Sequence, residues 1–193
     1  MKIKEIKKVT NYKHLNMFEI SYVDRLGNKK QWQMVSRRDA PKCHTSDFAK
    51  PDAVIIVPFH KEKRKLAIIK EFRVILGGYQ IGFPAGLVDA GETIEEASLR
   101  ELKEETGLSI IQFTQQSPPV FSSSGLTDEA VTIVYVECGG EPSYELNEAS
   151  EDISVIFVSQ KEAADLCANY QMKIDVKTWL VLNAFAKSGD PWK

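Results

Sequence analysis

The sequence predicts a mixed α/β protein, with helices packed on a mixed sheet and a small antiparallel β subdomain ahead of them. Three observations carry that reading. Two alternating segments joined by turn residues lie near the N-terminus, unbroken apolar runs of strand length occupy the middle, and well-capped helical segments are interspersed with the later strands.

Phe18 to Val23 alternates apolar and polar side chains, Asp24-Arg25-Leu26-Gly27-Asn28 supplies turn residues, and Gln31 to Val35 alternates again; together they make a hairpin. Asp39 to Asp47 is polar and reads as a linker. Ala53 to Pro58 and Leu66 to Ile69 are continuous apolar runs suited to buried strands, and His60 to Lys65 between them reads as a solvated turn. A helix is expected from Thr93 to Thr106, where Thr93-Ile94-Glu95-Glu96 forms a capping box and Gly107 suits a left-handed C-terminal cap. Strands are expected at Ala130 to Val136 and Ile153 to Val158, and helices over Gln160 to Asn169 and Val176 to Ala186. The expected division is a β subdomain over 1–48 and a main domain over 49–193.

Composition narrows the class. With 43% hydrophobic and 27% charged residues in 193, the chain has the make-up of a globular domain with a small appendage. A net charge of -2 gives no global attraction for a nucleic acid polymer or an anionic membrane, so a polyanion must be held by a local site. No apolar run approaches the ~20 residues that span a bilayer. The lysine-rich start, MKIKEIKKVT, lacks the apolar stretch of a secretory signal. Cys43, Cys138 and Cys167 are far apart with no CxxC spacing, which suits reduced thiols and a cytoplasmic protein.

The chemistry lies on one helix. At about 100° per residue, Glu101, Glu104 and Glu105 share an arc with Ile94, Ala97, Ser98 and Leu102, while Glu96 and Lys103 point away. Glu101 and Glu105 are an i,i+4 like-charge pair, and Glu104 and Glu105 sit in the last turn, where the helix dipole disfavours anions. A solvated acidic face would lie on the lysine side instead. Hard divalent cations resolve the conflict, because Mg²⁺ takes carboxylate oxygen and substrate phosphate together.

Gly86 and Glu92, followed by Arg100-Glu101-Leu102, Glu104-Glu105 and Gly107-Leu108, match every fixed position of the Nudix box, G-x5-E-x7-R-E-U-x-E-E-x-G-U with U aliphatic. The chain therefore resembles the Nudix hydrolases, and the resemblance implies an α/β/α sandwich that carries the box as a metal-binding loop–helix–loop. It implies that Glu101, Glu104, Glu105 and the Ala85 carbonyl hold Mg²⁺, with Mn²⁺ as a substitute. Arg100 would orient the glutamates, and Glu92 would brace the loop or reach a metal through water.

Beyond the box, Lys70-Glu71-Phe72-Arg73, the segment Gly77 to Gly86, and Ser124-Gly125-Leu126-Thr127-Asp128-Glu129 look like the ADP-ribose pyrophosphatase branch. That branch exchanges an N-terminal β subdomain between two subunits, so the resemblance implies a homodimer. It also implies a base stacked on Trp32, with Arg37, Arg73, Leu87 and His14 as further substrate contacts. The general base falls to an acid before a late strand, where Glu151 aligns best and Glu148 is adjacent; Glu105 serves as the base in some Nudix enzymes. Three positions depart from the branch: Ser124 replaces a usual proline, His14 a second stacking tryptophan, and Gly82 a common glutamate. They bear on substrate choice rather than on hydrolysis.

The expected activity is cleavage of the diphosphate of ADP-ribose or a related nucleotide sugar to a nucleoside monophosphate and a sugar phosphate. Alternatives are hydrolysis of dinucleoside polyphosphates or oxidised nucleotides, which the N-terminal subdomain disfavours. A module that senses ADP-ribose without cleaving it is disfavoured by the complete set of box carboxylates.

Overall fold

Opposed residues on neighbouring strands share a face, and this decides how the N-terminal residues pack. The computed structural model describes residues 1–192 and divides into two compact units. One is built from Met1–Asp52 and Pro118–Val131; the other from Ala53–Ser117 and Thr132 onward.

The first unit holds a three-stranded antiparallel sheet, β1 (Lys2–Lys8), β2 (Asn16–Val23) and β3 (Lys29–Ser36), in the order β1-β2-β3. The hairpin read from the sequence is β2 and β3, with Phe18 opposite Met34 and Ile20 opposite Trp32. Ile3 and Ile6 of β1 face Tyr22 and Ile20, and a register shift between Ile3 and Glu5 brings both isoleucines to the apolar face. Phe18, Ile20 and Met34 are buried there, with Ile6 and Cys43 packed against them.

The polar stretch from Asp39 to Asp47 is not a free linker. It contains a short helix, α1 (Lys42–Thr45), and the Lys42 side chain is fully buried. Its Nζ lies 2.9 Å from Asp52 Oδ2 and donates to the Lys50 carbonyl at 2.7 Å, while its backbone N–H donates to Asp128. Asp52 also receives Arg38 and the Ala130 N–H. A buried ammonium is tolerated only with such partners. Within this unit β9 (Val120–Phe121) pairs with Ala130 and Val131.

The second unit is built on a sheet of β4 (Ala53–His60), β5 (Lys65–Arg73), β8 (Ser109–Gln116), β10 (Ala130–Gly139) and β11 (Ile153–Val158), ordered β11-β5-β4-β10-β8. Two short strands join it, β6 (Gly78–Gly82) on β5 and β7 (Ala85–Leu87) on β4. The pairs β11–β5, β5–β4 and β10–β8 are antiparallel. The neighbours β4 and β10 run the same way, since Asp52 bonds Ala130 ahead of β4 and the Lys61 N–H bonds Cys138 just beyond it. The sheet is mixed.

Alternation sends β4 side chains to both faces. Val54 and Ile56 join Ala67, Val134, Val136 and Cys138 against Ala97 and Leu102 of α2 (Ile94–Thr106). On the opposite face Phe59 meets Phe185 of α4 (Val176–Ser188) edge to face, with ring centroids 6.4 Å apart. The last helix pair is α3 (Gln160–Ala168) with α4. Helices thus cover both faces, the sandwich expected from the sequence. His60 is a buried strand residue and not part of the turn; its Nε2 lies 2.9 Å from the Gly140 carbonyl, and its Nδ1 accepts from Lys63 N–H.

Candidate active site

The helix α2 starts and stops where its sequence dictates. Thr93 accepts from the Glu96 N–H, and the Glu96 carboxylate accepts from the Thr93 N–H. Gly107 ends the helix at φ 74°, and a Cβ there would come within 2.4 Å of the Ser143 nitrogen, so the site demands glycine twice over.

Between these caps, the apolar arc delivers Glu105 into the interior. Its side chain belongs to the buried set, and Oε2 accepts from the Ala85 N–H at 3.0 Å. Burial pushes its carboxyl up to about 9; the Ala85 bond pulls the other way, and nearby Glu101, Glu71 and Glu151 push it further up. Glu101 lies beside it with its side chain 12% exposed, raised by burial and held back by Arg100. A Cβ on Gly86 would sit 1.9 Å from the Glu101 carboxyl, so only glycine in β7 lets that carboxylate lie where it does.

Arg100 ties the loop to the helix. Its Nε and Nη2 grip both oxygens of Glu92 at 2.9 and 2.8 Å, and Nη2 also donates to the Leu87 carbonyl at 3.0 Å. Its Nη1 reaches Glu101 at 2.6 Å and Glu104 at 3.2 Å. This fork holds the Glu92 carboxyl below its ordinary value. It does not reach Glu105.

Two further acids face the same space. Glu151, in the loop before β11, bears electrostatically on Glu71, Glu101 and Glu105. Its Oε2 accepts from the Glu148 N–H at 2.8 Å, while Glu148 itself is exposed. Glu71 on β5 was not singled out in the sequence as a site residue. It pairs with Arg73 at 2.9 Å, and burial raises its carboxyl against the pull of Arg73. The available signal was period-two alternation, which carries the core side of β5 from Ala67 and Ile69 on to Glu71 and Arg73.

The donor set is all hard oxygen, it runs from buried Glu105 to half-exposed Glu104, and it exceeds the cations that answer it, so it fits a divalent metal. Among the described residues no three acidic side chains already stand at direct ligand spacing. The like charges are spread, and Arg100 holds Glu101 and Glu104.

The second unit thus brings together Ala85, Leu87, Arg100, Glu101, Glu104, Glu105 and Glu151, with Arg73 joined to them through Glu71. The other expected contacts belong to the first unit. Trp32 is half-exposed beside a cavity of about 270 Å³, whose lining includes Met34, Phe48, Phe121 and Ser124. Arg37 approaches Glu129 at 3.5 Å, and His14 is exposed in the loop between β1 and β2. Gly82 lies on β6 opposite Ile69.

A sheet between helices, with a glycine-bounded acidic helix facing its edge loops, is the architecture of a NUDIX domain. That domain matches residues 49–178, and the chain belongs to the Nudix hydrolase family. It is 33% identical over 159 residues to nudix hydrolase 2 of Caenorhabditis elegans, covering 79% of this chain and 69% of that protein. It is 34% identical over 138 residues to the ADP-ribose pyrophosphatase of Saccharomyces cerevisiae, covering 69% of this chain and 57% of that one. The ADP-sugar pyrophosphatase of Mus musculus is 31% identical over 138 residues, covering 69% of this chain and 59% of its own length. The chain thus spans between 57% and 69% of the length of these relatives. A crystal structure of an ADP compounds hydrolase matches 98% of this chain and 96% of its own at a TM-score of 0.72, with 20% sequence identity, which shows the shared fold. Among the described residues no helix is long and apolar enough to cross a membrane.

Proposed function

We propose that this protein hydrolyses the diphosphate of ADP-ribose or a related ADP-sugar, with Mg²⁺ as its cofactor and Mn²⁺ as a substitute. The products are a nucleoside monophosphate and a sugar phosphate. The observation that carries the reading is Glu105, a buried carboxyl among like charges with no cationic side-chain partner among the described residues. The relatives named for ADP-ribose and ADP-sugar support the substrate class.

Glu101, Glu104 and Glu105, with the Ala85 carbonyl, would hold the metal. When bound, it would supply charge neutralisation at the diphosphate and a more acidic water for in-line attack on one phosphorus. The chain's own residues do the rest. Arg100 keeps Glu101 and Glu104 oriented through its fork to Glu92. Glu151 is the general base: it is the partly buried loop acid that bears on the site, whereas Glu148 is exposed. Arg73 takes a phosphate oxygen, its guanidinium being half-exposed at the end of β5. In a homodimer that exchanges the N-terminal subdomain, over 1–48, Trp32 stacks the base, with Arg37, His14 and Leu87 as further contacts. The half-exposed indole beside an apolar cavity suits that role.

A panel of nucleotide sugars, dinucleoside polyphosphates and oxidised nucleotides, each with Mg²⁺ or Mn²⁺, tests the reading by phosphate release after phosphatase coupling. ADP-ribose or another ADP-sugar is expected to turn over fastest. Turnover confined to dinucleoside polyphosphates or oxidised nucleotides would overturn the substrate class.

A further inference from the structure

We propose that Glu71 is a positioning residue of this site, anchoring the Arg73 guanidinium so that it meets the diphosphate; the inference rests on Arg73 being a phosphate contact. The pleat of β5 provides the starting point. Ala67 packs in the core beneath α2, and Ile69, Glu71 and Arg73 follow at intervals of two on the same face. The strand therefore delivers the ion pair to the side on which α2 presents its carboxylates.

The pair has a closed end and an open end. The Glu71 side chain is 16% exposed and that of Arg73 46%, with Glu71 Oε2 2.9 Å from Arg73 Nη2. Across the strand pair, Gly78 stands opposite Arg73 and brings no side chain to hold it, while Gln80 stands opposite Glu71. Glu71 is thus the ion-pair partner that fixes this arginine among the described residues. An unanchored arginine samples many rotamers. Holding one amino group leaves the remaining donors of the planar fork aimed in one direction.

The placement is costly for a mere surface ion pair. Burial and the nearby Glu151 both oppose the ionised form of Glu71, whereas the other face of β5, with exposed Lys70 and Phe72, would have carried an exposed pair without that penalty. Putting the carboxylate on the acidic side makes sense if the arginine is needed there. Substrate binding then draws on a guanidinium already in place, so the benefit appears in ground-state affinity.

Steady-state kinetics on the substrate that the panel ranks first test this, using Arg73→Ala, Glu71→Gln, Glu71→Asp and the double variant Glu71→Gln/Arg73→Ala. Arg73→Ala and Glu71→Gln are each expected to raise KM about tenfold with kcat within about threefold, the signature of lost uniform binding. Glu71→Gln should add little in the Arg73→Ala background, because the two act as one unit. Glu71→Asp should recover part of the loss. So should Glu71→Gln/Gln80→Glu, which moves the carboxylate directly across the strands, where opposed Cβ atoms lie about 5 Å apart. If Arg73→Ala raises KM and Glu71→Gln does not, this inference falls while Arg73 keeps its role. If neither changes KM, both fall. A drop in kcat at unchanged KM for Glu71→Gln would put Glu71 in the reaction itself and overturn the positioning role.

Discussion

Lys42 and Glu105 are both buried ionisable side chains, one in each unit, and their surroundings are opposite. Lys42 has the Asp52 carboxylate and the Lys50 carbonyl, and Asp52 is shared with Arg38 and the Ala130 N–H. Burial alone would raise the Asp52 carboxyl, yet the Ala130 N–H, Lys42 and Arg38 together hold it below its ordinary value. Glu105 has one neutral N–H donor and three acidic neighbours, and its carboxyl rises to about 9. The paired group is a structural tie. The unpaired one marks a place where the fold keeps strain that a ligand relieves.

The largest test of this contrast is chemical. Glu101→Gln and Glu105→Gln should each lower kcat on the order of 10²-fold or more with the fold intact, since cation holding and charge stabilisation are lost together. Glu151→Gln should lower kcat by about 10²-fold with little change in KM, as expected of a group that takes a proton only in the transition state. Near-wild-type rates in all three at saturating Mg²⁺ would break the assignment of the acidic face.

The next effect is on stability and belongs to the other unit. Lys42→Met leaves Asp52 buried with fewer partners, and removing one member of a buried pair costs about 3–5 kcal/mol. The low end is expected, because Arg38 and the Ala130 N–H remain. Denaturant unfolding that moves by less than about 1 kcal/mol would mean that Lys42 is no tie at all.

How much of this contrast was legible in the sequence depends on how local each cause is. The helix α2, its caps and its three carboxylates are set by residues within a few turns of one another, so periodicity exposed them. The strand β1 was legible only as part of a β subdomain, without its bounds, because Ile3 and Ile6 are three apart and only the register shift between Ile3 and Glu5 brings them to one face. Lys42 looked like a solvated linker residue, because nothing in the polar run shows that Asp52 and the Lys50 carbonyl enclose its ammonium, and the Asp128 that receives its backbone N–H is 86 positions away. Glu71 was passed over, because the apolar run of β5 stops at Ile69 while the alternation of its core face continues.

A smaller effect is set by pH in the metal-free protein. The Glu105 carboxyl is raised in the folded state, from the ordinary 4.5 to about 9. The folded state therefore keeps a proton that the unfolded chain has already lost. The associated stability is fully present below about pH 4.5 and is lost progressively as pH rises to about 9. Glu101 and Glu71 are raised as well and act in the same direction. Thermal scans of the metal-free protein across this window should show a falling midpoint, and Glu105→Gln should flatten the slope. A midpoint that climbs with pH in that window would contradict the burial of an unpaired acid.

The measurement that tests the central claim most directly needs no substrate. The thermal midpoint of the wild type and of Glu105→Gln is recorded near neutral pH, first metal-free and then with Mn²⁺ or Mg²⁺. Because a ligand stabilises only the state that binds it, metal should raise the midpoint of the wild type and do little for the variant. Without metal the variant should be the more stable of the two, since a neutral amide folds without the proton uptake that burial and the nearby Glu101, Glu71 and Glu151 impose on Glu105 near neutral pH. An equal response of both proteins to metal, or a metal-free variant less stable than the wild type, would contradict the account.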